Sequence, residues 1–156
     1  MATAELLNLS GIYAGTFLFC AVSGVVPFMN AELFLLYVGA TANHGQLPAL
    51  VLLAALGQIS AKSLLYYGGR GVLTLPEGRG RARIEALRAR LSGGRRTAGS
   101  VTFVSALTGL PPFYAISVIA GTLGWPFLRF VLYGTAGRVL RFSAVLFLPG
   151  LLKGVM

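Results

Sequence analysis

Val26-Pro27-Phe28-Met29-Asn30-Ala31-Glu32 interrupts the first apolar stretch of the chain, and Thr108-Gly109-Leu110-Pro111-Pro112-Phe113 interrupts the third. Proline lacks a backbone donor and breaks the hydrogen-bond ladder of a helix. At bilayer depth, backbone groups freed by such a break must find partners in protein or trapped water. The two interruptions therefore predict half-membrane hairpins, or broken helices, that line a polar cavity.

The composition is that of an integral membrane protein. Of the 156 residues, 56% are hydrophobic and only 11% are charged, and the mean hydropathy is +0.78. Soluble domains carry about 25% charged residues, so this chain lies far from that class. The start of the chain lacks the basic region of a signal peptide, and we expect the first apolar segment to stay in the mature protein. The lone cysteine, Cys20, allows no intrachain disulfide.

The hydropathy pattern predicts an all-α polytopic fold, with one membrane domain over residues 1–156. Residues 11–42 and 99–124 are predicted as Pro-broken re-entrant hairpins. The two arms of the first would rise only about 15 to 24 Å as helix, against a hydrocarbon core of about 30 Å. Residues 47–69 and 127–152 are predicted as the spanning helices.

Residues 70–98 form a basic segment that we expect to be a cytoplasmic loop, because short Arg-rich loops stay inside. The segment holds eight of the thirteen basic residues: Arg70, Arg79, Arg81, Arg83, Arg88, Arg90, Arg95 and Arg96. Ile84, Leu87 and Leu91 fall at helical spacing and predict a basic amphipathic helix on anionic headgroups. The loop has no interleaved aromatic residues, so the expected partners are membrane lipids and not nucleic acid.

The two halves of the chain follow one order, from a Pro-broken apolar segment to a continuous one. Each continuous segment also carries a Tyr followed by Gly and Arg, in residues 66–70 and 133–138. If the first hairpin enters from outside and the second from the cytoplasm, the halves have opposite topology, as inverted repeats do. An inverted repeat is therefore a hypothesis in which two hairpin tips meet near the midplane. The predicted tips are Pro27 in the first hairpin and Gly109, Pro111 and Pro112 in the second.

Three stretches resemble signatures of the DedA/VTT membrane proteins, also called SNARE-associated-like. Residues 27–40 are similar to the first re-entrant signature of that family, and Gly57 with residues 66–71 to its Gly-rich helix end. Residues 119–121 and 126–130, with Gly137, resemble the second signature. The resemblance covers about residues 11–142.

Departures from the family pattern make the chain most similar to the YqaA-like branch. Asn30 replaces the second proline of the first tip, and Lys62 stands where many members have an acidic residue. Leu107 and Phe113 lie near the positions of two family arginines. The resemblance implies a lipid-translocating fold, with transport or scrambling of a lipid phosphate as the family activity.

The predicted substrate or proton site comprises Glu32, Lys62, Arg138, Arg141 and Asn30. Glu32 is the one carboxylate inside an apolar segment, which makes it a candidate proton carrier or headgroup contact. Its structural alternative is an ion pair with Lys62 or Arg138, or a bond from the hairpin backbone. Arg138 and Arg141 lie three apart on one helix face and suit a phosphate, although capping of hairpin carbonyls is equally open.

The sequence favours a transporter over an enzyme. It shows no paired carboxylates in one apolar region, no His beside a nucleophile, no metal-spaced cluster and no P-loop, so we expect no catalytic residue, metal or cofactor. The predicted function is movement or scrambling of a phosphate-bearing lipid across the bacterial inner membrane, and a homo-oligomer stays open. The alternative is a non-transporting scaffold that binds anionic lipid or a protein partner through its basic loop. A small-solute or ion carrier comes third.

Overall fold

Helices make up most of the chain that the structure describes. The structure, a computed structural model, describes residues 2–26, 29–71 and 81–155. These residues contain seven α-helices and no strand, so the predicted all-α class is confirmed. The helices are α1 (Ala2–Val25), α2 (Ala31–Thr41), α3 (Leu47–Gly71), α4 (Arg81–Ser92), α5 (Arg95–Thr108), α6 (Phe113–Thr122) and α7 (Phe127–Val155). A turn of 3-10 helix, His44–Gln46, leads directly into α3.

Within the described residues, two helices are long and apolar enough to cross a membrane. They cover His44–Arg70, with mean hydropathy 1.6, and Phe127–Phe147, with mean hydropathy 1.3. At 1.5 Å per residue, α3 and α7 rise about 37 and 43 Å, more than the roughly 30 Å of a hydrocarbon core. They coincide with the spanning helices predicted over 47–69 and 127–152.

Both predicted interruptions fall between two helices that contact each other. One break separates α1 from α2 and the other separates α5 from α6. Pro27, the predicted tip of the first hairpin, lies outside the described residues. The apolar helices around the breaks are short: Ser10–Val25, Ala31–Thr41 and Phe113–Thr122. Their rises of about 24, 16 and 15 Å fall short of the hydrocarbon thickness.

Helix boundaries differ from the predicted ones at two places. Helix α1 begins at Ala2, well before residue 11, and α5 begins at Arg95, inside the segment predicted as loop. The same segment contains α4, which confirms a helix over the predicted amphipathic pattern. Its Leu87 and Leu91 are buried, and α4 contacts α5 and α6. Leu87 and Leu91 therefore pack on protein, while Arg88 and Arg90 are exposed. The side chain of Ile84 lies outside the described residues.

The chain divides into two compact units, and the boundary between them falls inside each of the two long helices. Unit 1 comprises Met1–Ala61 and Val139–Met156, and unit 2 comprises Lys62–Arg138. Unit 1 thus contains α1, α2, the first part of α3 and the last part of α7. Unit 2 contains the end of α3, then α4, α5 and α6, and the start of α7. The predicted single domain of residues 1–156 accordingly has two centres of packing.

The core of unit 1 forms where α1 and α3 approach backbone to backbone. A methyl group added at Gly57 of α3 would overlap the carbonyl oxygen of Phe17 on α1, and one at Gly24 would lie 2.6 Å from Ala61 Cβ. Small residues allow such close contacts between apolar helices. Phe19 and Phe34 stack across α1 and α2 with ring centroids 4.0 Å apart. The buried cluster here consists of Cys20, Ala31, Leu35, Val51, Ala54, Ala55 and Phe142.

The core of unit 2 is aromatic and centred on Tyr66, which is fully buried. Its hydroxyl donates a 2.5 Å hydrogen bond to the carbonyl of Trp125, and its ring stacks on Phe130 with centroids 5.3 Å apart. Phe130 in turn stacks on Phe113, at 5.8 Å between centroids. A buried tyrosine needs a partner for its hydroxyl, and this bond supplies it. The end of α3 is thereby fixed to the turn before α7.

The same contact pattern recurs in both units around one glycine of each long helix. Gly57 lies ten residues after the start of α3, and Gly137 lies ten residues after the start of α7. A Cβ at Gly57 would meet Phe17 O, Cys20 Cβ and Ala21 N, and a Cβ at Gly137 would meet Phe103 O, Ala106 Cβ and Leu107 N. The three neighbouring atoms have the same spacing in both helices. They are the carbonyl oxygen of one residue, the Cβ of the residue three positions later and the amide nitrogen of the residue four positions later.

A second pair of matched glycines lies on the short helices. Gly39 and Gly121 each fall eight residues after the start of α2 and α6. A Cβ at Gly39 would overlap the side chain of Leu146, and a Cβ at Gly121 would overlap the carbonyl of Tyr66. Leu146 and Tyr66 each lie nineteen residues into their long helix. The positions correspond in the two units, but Gly39 faces a side chain and Gly121 faces backbone atoms.

We predict that Gly57→Ala and Gly137→Ala each lower the thermal unfolding midpoint of the purified protein in detergent. The added methyl forces two backbones apart, and overpacking of this kind costs about 1–3 kcal/mol. Gly15→Ala is the matched control, because it lies inside α1 with nothing within 4 Å of the new Cβ. That variant should unfold at the same or a higher temperature, since alanine is the better helix former. Equal midpoints for all three would contradict the close contacts.

Candidate functional site

The described part of the second interruption finds its hydrogen-bond partners within unit 2. Gly109 ends α5 in the left-handed conformation, φ +80°, and its N–H donates to Ser105 O at 2.8 Å. The Ser105 hydroxyl donates to the carbonyl of Pro111, and Thr108 Oγ1 accepts the backbone N–H of Leu110 at 3.1 Å. Hydroxyls on α5 therefore satisfy backbone groups that the break releases, as an apolar environment requires. Pro112 then forms the N-cap of α6.

The end of the first interruption is organised by Asn30, the N-cap of α2. Its Oδ1 accepts the backbone N–H groups of Glu32 at 2.9 Å and Leu33 at 3.3 Å. Asparagine is among the best capping residues because its side chain replaces partners missing from the first turn. Asn30 was predicted as part of the substrate site. In the structure its amide oxygen holds the first turn of α2, and thereby positions Glu32.

Glu32 forms an ion pair with Arg141 inside unit 1. Arg141 Nε donates to Glu32 Oε1 at 2.5 Å, and Nη2 contacts the same oxygen. The side chains are 24% exposed for Arg141 and 32% for Glu32, so the pair lies partly at the surface. The sequence alternatives named Lys62 or Arg138 as the partner of Glu32, and Arg141 was not among them. The bond joins α2 to the last part of α7.

Lys62 and Arg138 are two buried cations within unit 2, only 8% and 9% exposed. They lie close enough for Arg138 to act electrostatically on the Lys62 ammonium. The Arg138 guanidinium also stands over the ring of Phe113, with its Cζ 5.2 Å from the ring centroid. A cation held over an aromatic face is stabilised by the ring quadrupole.

Thr135 and Phe113 are two residues that the sequence did not single out as site residues. Thr135 lies one turn before Arg138 on α7, and its Oγ1 is buried without a hydrogen-bond partner. Phe113 entered the sequence argument only as a departure from a family arginine. In the structure its ring lies under the Arg138 guanidinium, two residues after Pro111. The sequence feature that identifies Thr135 is its position three residues before Arg138, on the same side of the helix.

Gln58 is the second buried polar residue that the sequence reasoning left without a role. Its Nε2 donates to Ser23 Oγ at 3.2 Å, and the Ser23 hydroxyl donates to Cys20 O at 2.9 Å. Because the single proton of Ser23 is committed to Cys20, Gln58 must present its NH₂ group to Ser23. Its Oε1 is left buried without a partner. Gln58 directly follows Gly57, just as Arg138 directly follows Gly137. The repeated glycine contact therefore identifies Gln58 as the residue that corresponds to Arg138.

The predicted site residues therefore fall into two groups, each within one unit. Asn30, Glu32 and Arg141 belong to unit 1, and Lys62 and Arg138 belong to unit 2. Comparisons with protein-family models, with curated proteins and with solved structures give no match to this chain. We therefore infer its function from the chemistry of these two groups.

We predict that Glu32 and Arg141 are energetically coupled by about 1 kcal/mol, the upper range for a partly exposed ion pair. Glu32→Gln and Arg141→Met should each lower stability, and the double variant should lose less than the two changes combined. Chemical unfolding in detergent, followed by circular dichroism, measures the three changes. Arg129→Met is the matched control, because it lies twelve residues earlier on the same helix, about 18 Å along its axis. Coupling of Glu32 to Arg129 as strong as to Arg141 would contradict the pairing.

Proposed function

We propose that this chain is a bacterial inner-membrane protein that moves or scrambles a phosphate-bearing lipid across the bilayer. The observation that carries the proposal is the burial of Lys62 and Arg138 in unit 2, with Arg138 near enough to act electrostatically on the Lys62 ammonium. Two like charges repel, and burial among apolar helices adds a desolvation cost for each. A phosphate bound by both cations would supply a counter-charge that the two share. The site is thus suited to an anionic headgroup.

The side chains of unit 2 offer complementary contacts to a phosphate. The planar guanidinium of Arg138 matches two phosphate oxygens, and the Lys62 ammonium is a point charge for a third. Thr135 Oγ1, buried and without a hydrogen-bond partner, supplies a hydroxyl donor one turn away. The ring of Phe113 packs against one face of the Arg138 guanidinium. The phosphate would therefore meet a site whose cations are already positioned.

The Glu32–Arg141 pair has a second role in the proposal. A phosphate that reaches Arg141 competes with Glu32 for the guanidinium, because both anions bind it through the same donors. Glu32 would then be released to solvent, where it can take up a proton or return to Arg141 when the lipid leaves. Its partial exposure supports such an exchange, since a fully buried pair would release an uncompensated charge. Glu32 thus compensates positive charge or carries a proton.

Three features support re-entrant hairpins and an inverted repeat as the framework. The short helices α2 and α6 rise less than the bilayer thickness, and hydroxyls satisfy the backbone at the second break. The matched glycine contacts support a correspondence of α1, α2 and α3 with α5, α6 and α7. The resemblance of the sequence signatures to the DedA/VTT family points to the same design. In this proposal the basic segment 70–98 is cytoplasmic, and the hairpins enter from opposite sides.

We predict that the purified protein scrambles fluorescent phospholipid in liposomes, and that Arg138→Ala and Lys62→Met each abolish most of this activity. Dithionite added outside bleaches only the outer leaflet unless lipid crosses, so the bleached fraction measures scrambling. Arg138→Lys keeps the charge but loses the bidentate match, and should retain an intermediate rate. Arg129→Gln is the control, because it removes an arginine from the same helix outside the proposed site.

The outcomes separate the transport proposal from the scaffold alternative. A scaffold leaves the bleached fraction at that of protein-free liposomes. If the protein scrambles lipid but neither Lys62→Met nor Arg138→Ala reduces the rate, the activity stands and the site is wrong. Loss of activity in Arg129→Gln as well would show a general effect of charge on folding. Circular dichroism of each variant reports whether it is folded.

We predict that cysteines placed at His44 and at Arg83 react from opposite sides of the membrane. His44 lies in the turn before α3, and Arg83 lies in the basic segment after it. A spanning α3 must separate the two positions, and the positive-inside rule assigns Arg83 to the cytoplasm. The test uses whole cells with an impermeant maleimide and a Cys20→Ala background. Labelling of both cysteines from one side would contradict the assigned topology.

A further inference from the structure

Helix α6 is enclosed by protein except near its two ends, and the exposed side chain at its start is a tyrosine. Phe113 and residues 115–121 are buried, whereas Tyr114 is 54% exposed. A helix that is apolar all round is normally buried, so an exposed side chain on its first turn is exceptional. Leu110 and Pro112, in the break just before α6, are exposed as well. The second interruption is therefore open to the surroundings of the chain where it joins α6.

The Tyr114 hydroxyl forms no hydrogen bond within the part of the chain that the structure describes. Tyr66 differs, because it is fully buried and its hydroxyl donates to the carbonyl of Trp125. A tyrosine is stable where its ring contacts apolar groups and its hydroxyl has a polar partner. The exposed Tyr114 hydroxyl can therefore donate a hydrogen bond to a molecule outside the chain.

The contacts of Phe113 give the level of Tyr114 along α7. The Phe113 ring stacks on Phe130 with centroids 5.8 Å apart, and its centroid lies 5.2 Å from Arg138 Cζ. Phe130 and Arg138 lie three and eleven residues past Phe127, where the candidate span begins, or about 4 and 16 Å along the axis. With α7 as a spanning helix, Tyr114 thus lies about 10 Å inside the span, below the roughly 6 Å headgroup layer. A tyrosine that only anchors a helix lies within that layer.

Tyr114 occupies the same place in α6 as Glu32 does in α2. Each is the second residue of its helix, and each lies seven residues before the matched glycine, Gly121 or Gly39. Glu32 is also partly exposed, and its carboxylate contacts a cation. The two short helices thus each begin with one accessible hydrogen-bonding side chain, an acceptor in α2 and a hydroxyl donor in α6.

We propose that the Tyr114 hydroxyl donates a hydrogen bond to a phosphate oxygen of the lipid that unit 2 transports. The inference rests on the proposed function, in which the same phosphate is bound by Lys62 and Arg138. A phenol is a neutral donor, so it recognises an anionic oxygen without adding a further positive charge. Its hydrogen bond replaces one that the headgroup loses to water on leaving the membrane surface. Tyr114 is thus a substrate-contacting residue at the open side of the second interruption.

Fluorine NMR of the full chain in phosphatidylcholine membranes tests this contact directly. All tyrosines are replaced by 3-fluorotyrosine, and the Tyr114 signal is the one missing from Tyr114→Phe. We expect lipid ³¹P to dephase the Tyr114 signal but not that of the buried Tyr66. In membranes of a phosphorus-free glycolipid, inorganic phosphate alone should cause no dephasing. A Tyr114 signal without dephasing in phosphatidylcholine, or with dephasing by inorganic phosphate alone, overturns the proposal.

A depth measurement separates contact with the cargo from anchoring at the membrane surface. Tyr67 is the matched control, since it is 52% exposed near the end of α3. A nitroxide midway along the lipid acyl chain should broaden the Tyr114 fluorine signal about twofold more than the Tyr67 signal, because Tyr114 lies deeper in the hydrocarbon. Equal broadening would place both tyrosines at the headgroup level and overturn the proposal.

Removal of the hydroxyl alone should slow transport. Tyr114→Phe keeps the ring and should lower the scrambling rate about tenfold, the effect of losing one hydrogen bond to a charged group, with an unchanged unfolding temperature. Tyr67→Phe should leave the rate unchanged, and equal rates for the two variants contradict the role of Tyr114. Dephasing of Tyr114 in a protein that does not scramble lipid supports the contact and contradicts the proposed function. Scrambling without that dephasing supports the proposed function and contradicts the contact.

Discussion

The close contact of two main chains at Gly137 is the constraint on which the proposed site depends. Without a side chain there, α7 lies directly against Phe103 and Ala106 of α5, and a Cβ would separate the helices. The next residue, Arg138, is consequently held over Phe113, the first residue of α6 after the Pro111 break. Gly137 thus lets α7 come close to α5, and the charged Arg138 next to it rests on the first residue after the interruption. Gly57 has the corresponding position in unit 1. The residue that follows it is Gln58, whose side chain is uncharged.

The energetic demands on the two polar groups differ, and this difference assigns their roles. Lys62 and Arg138 are almost completely buried, so an anionic ligand would act on them with little screening. The Glu32–Arg141 pair is partly exposed, so another anion can approach it more easily. The proposed function therefore assigns binding to the buried cations and exchange to the accessible pair. Asn30 contributes by holding Glu32 at the start of α2.

The sequence predicted the features that depend on local pattern. The two long apolar helices, both interruptions and the helix among the arginines all follow from residue spacing. The partner of Glu32 did not, because Arg141 lies 109 positions away and no local pattern encodes such a contact. Periodicity identified Leu87 and Leu91 as one apolar side of α4 but could not distinguish lipid from protein as its neighbour. The division of α3 between two units, after Ala61, was also beyond prediction, since the helix is continuous there.

Contact between a lipid phosphate and Lys62 is the central claim, and solid-state NMR can measure it directly. The chain has two lysines, so Lys153→Arg with ¹⁵N-lysine labelling leaves the Lys62 ammonium as the single side-chain signal. Dephasing of that signal by lipid ³¹P in reconstituted membranes measures the nitrogen–phosphorus distance. We expect about 4 Å, the separation of a direct ammonium–phosphate hydrogen bond. The same protein scrambling lipid while its Lys62 nitrogen shows no ³¹P dephasing would contradict the account.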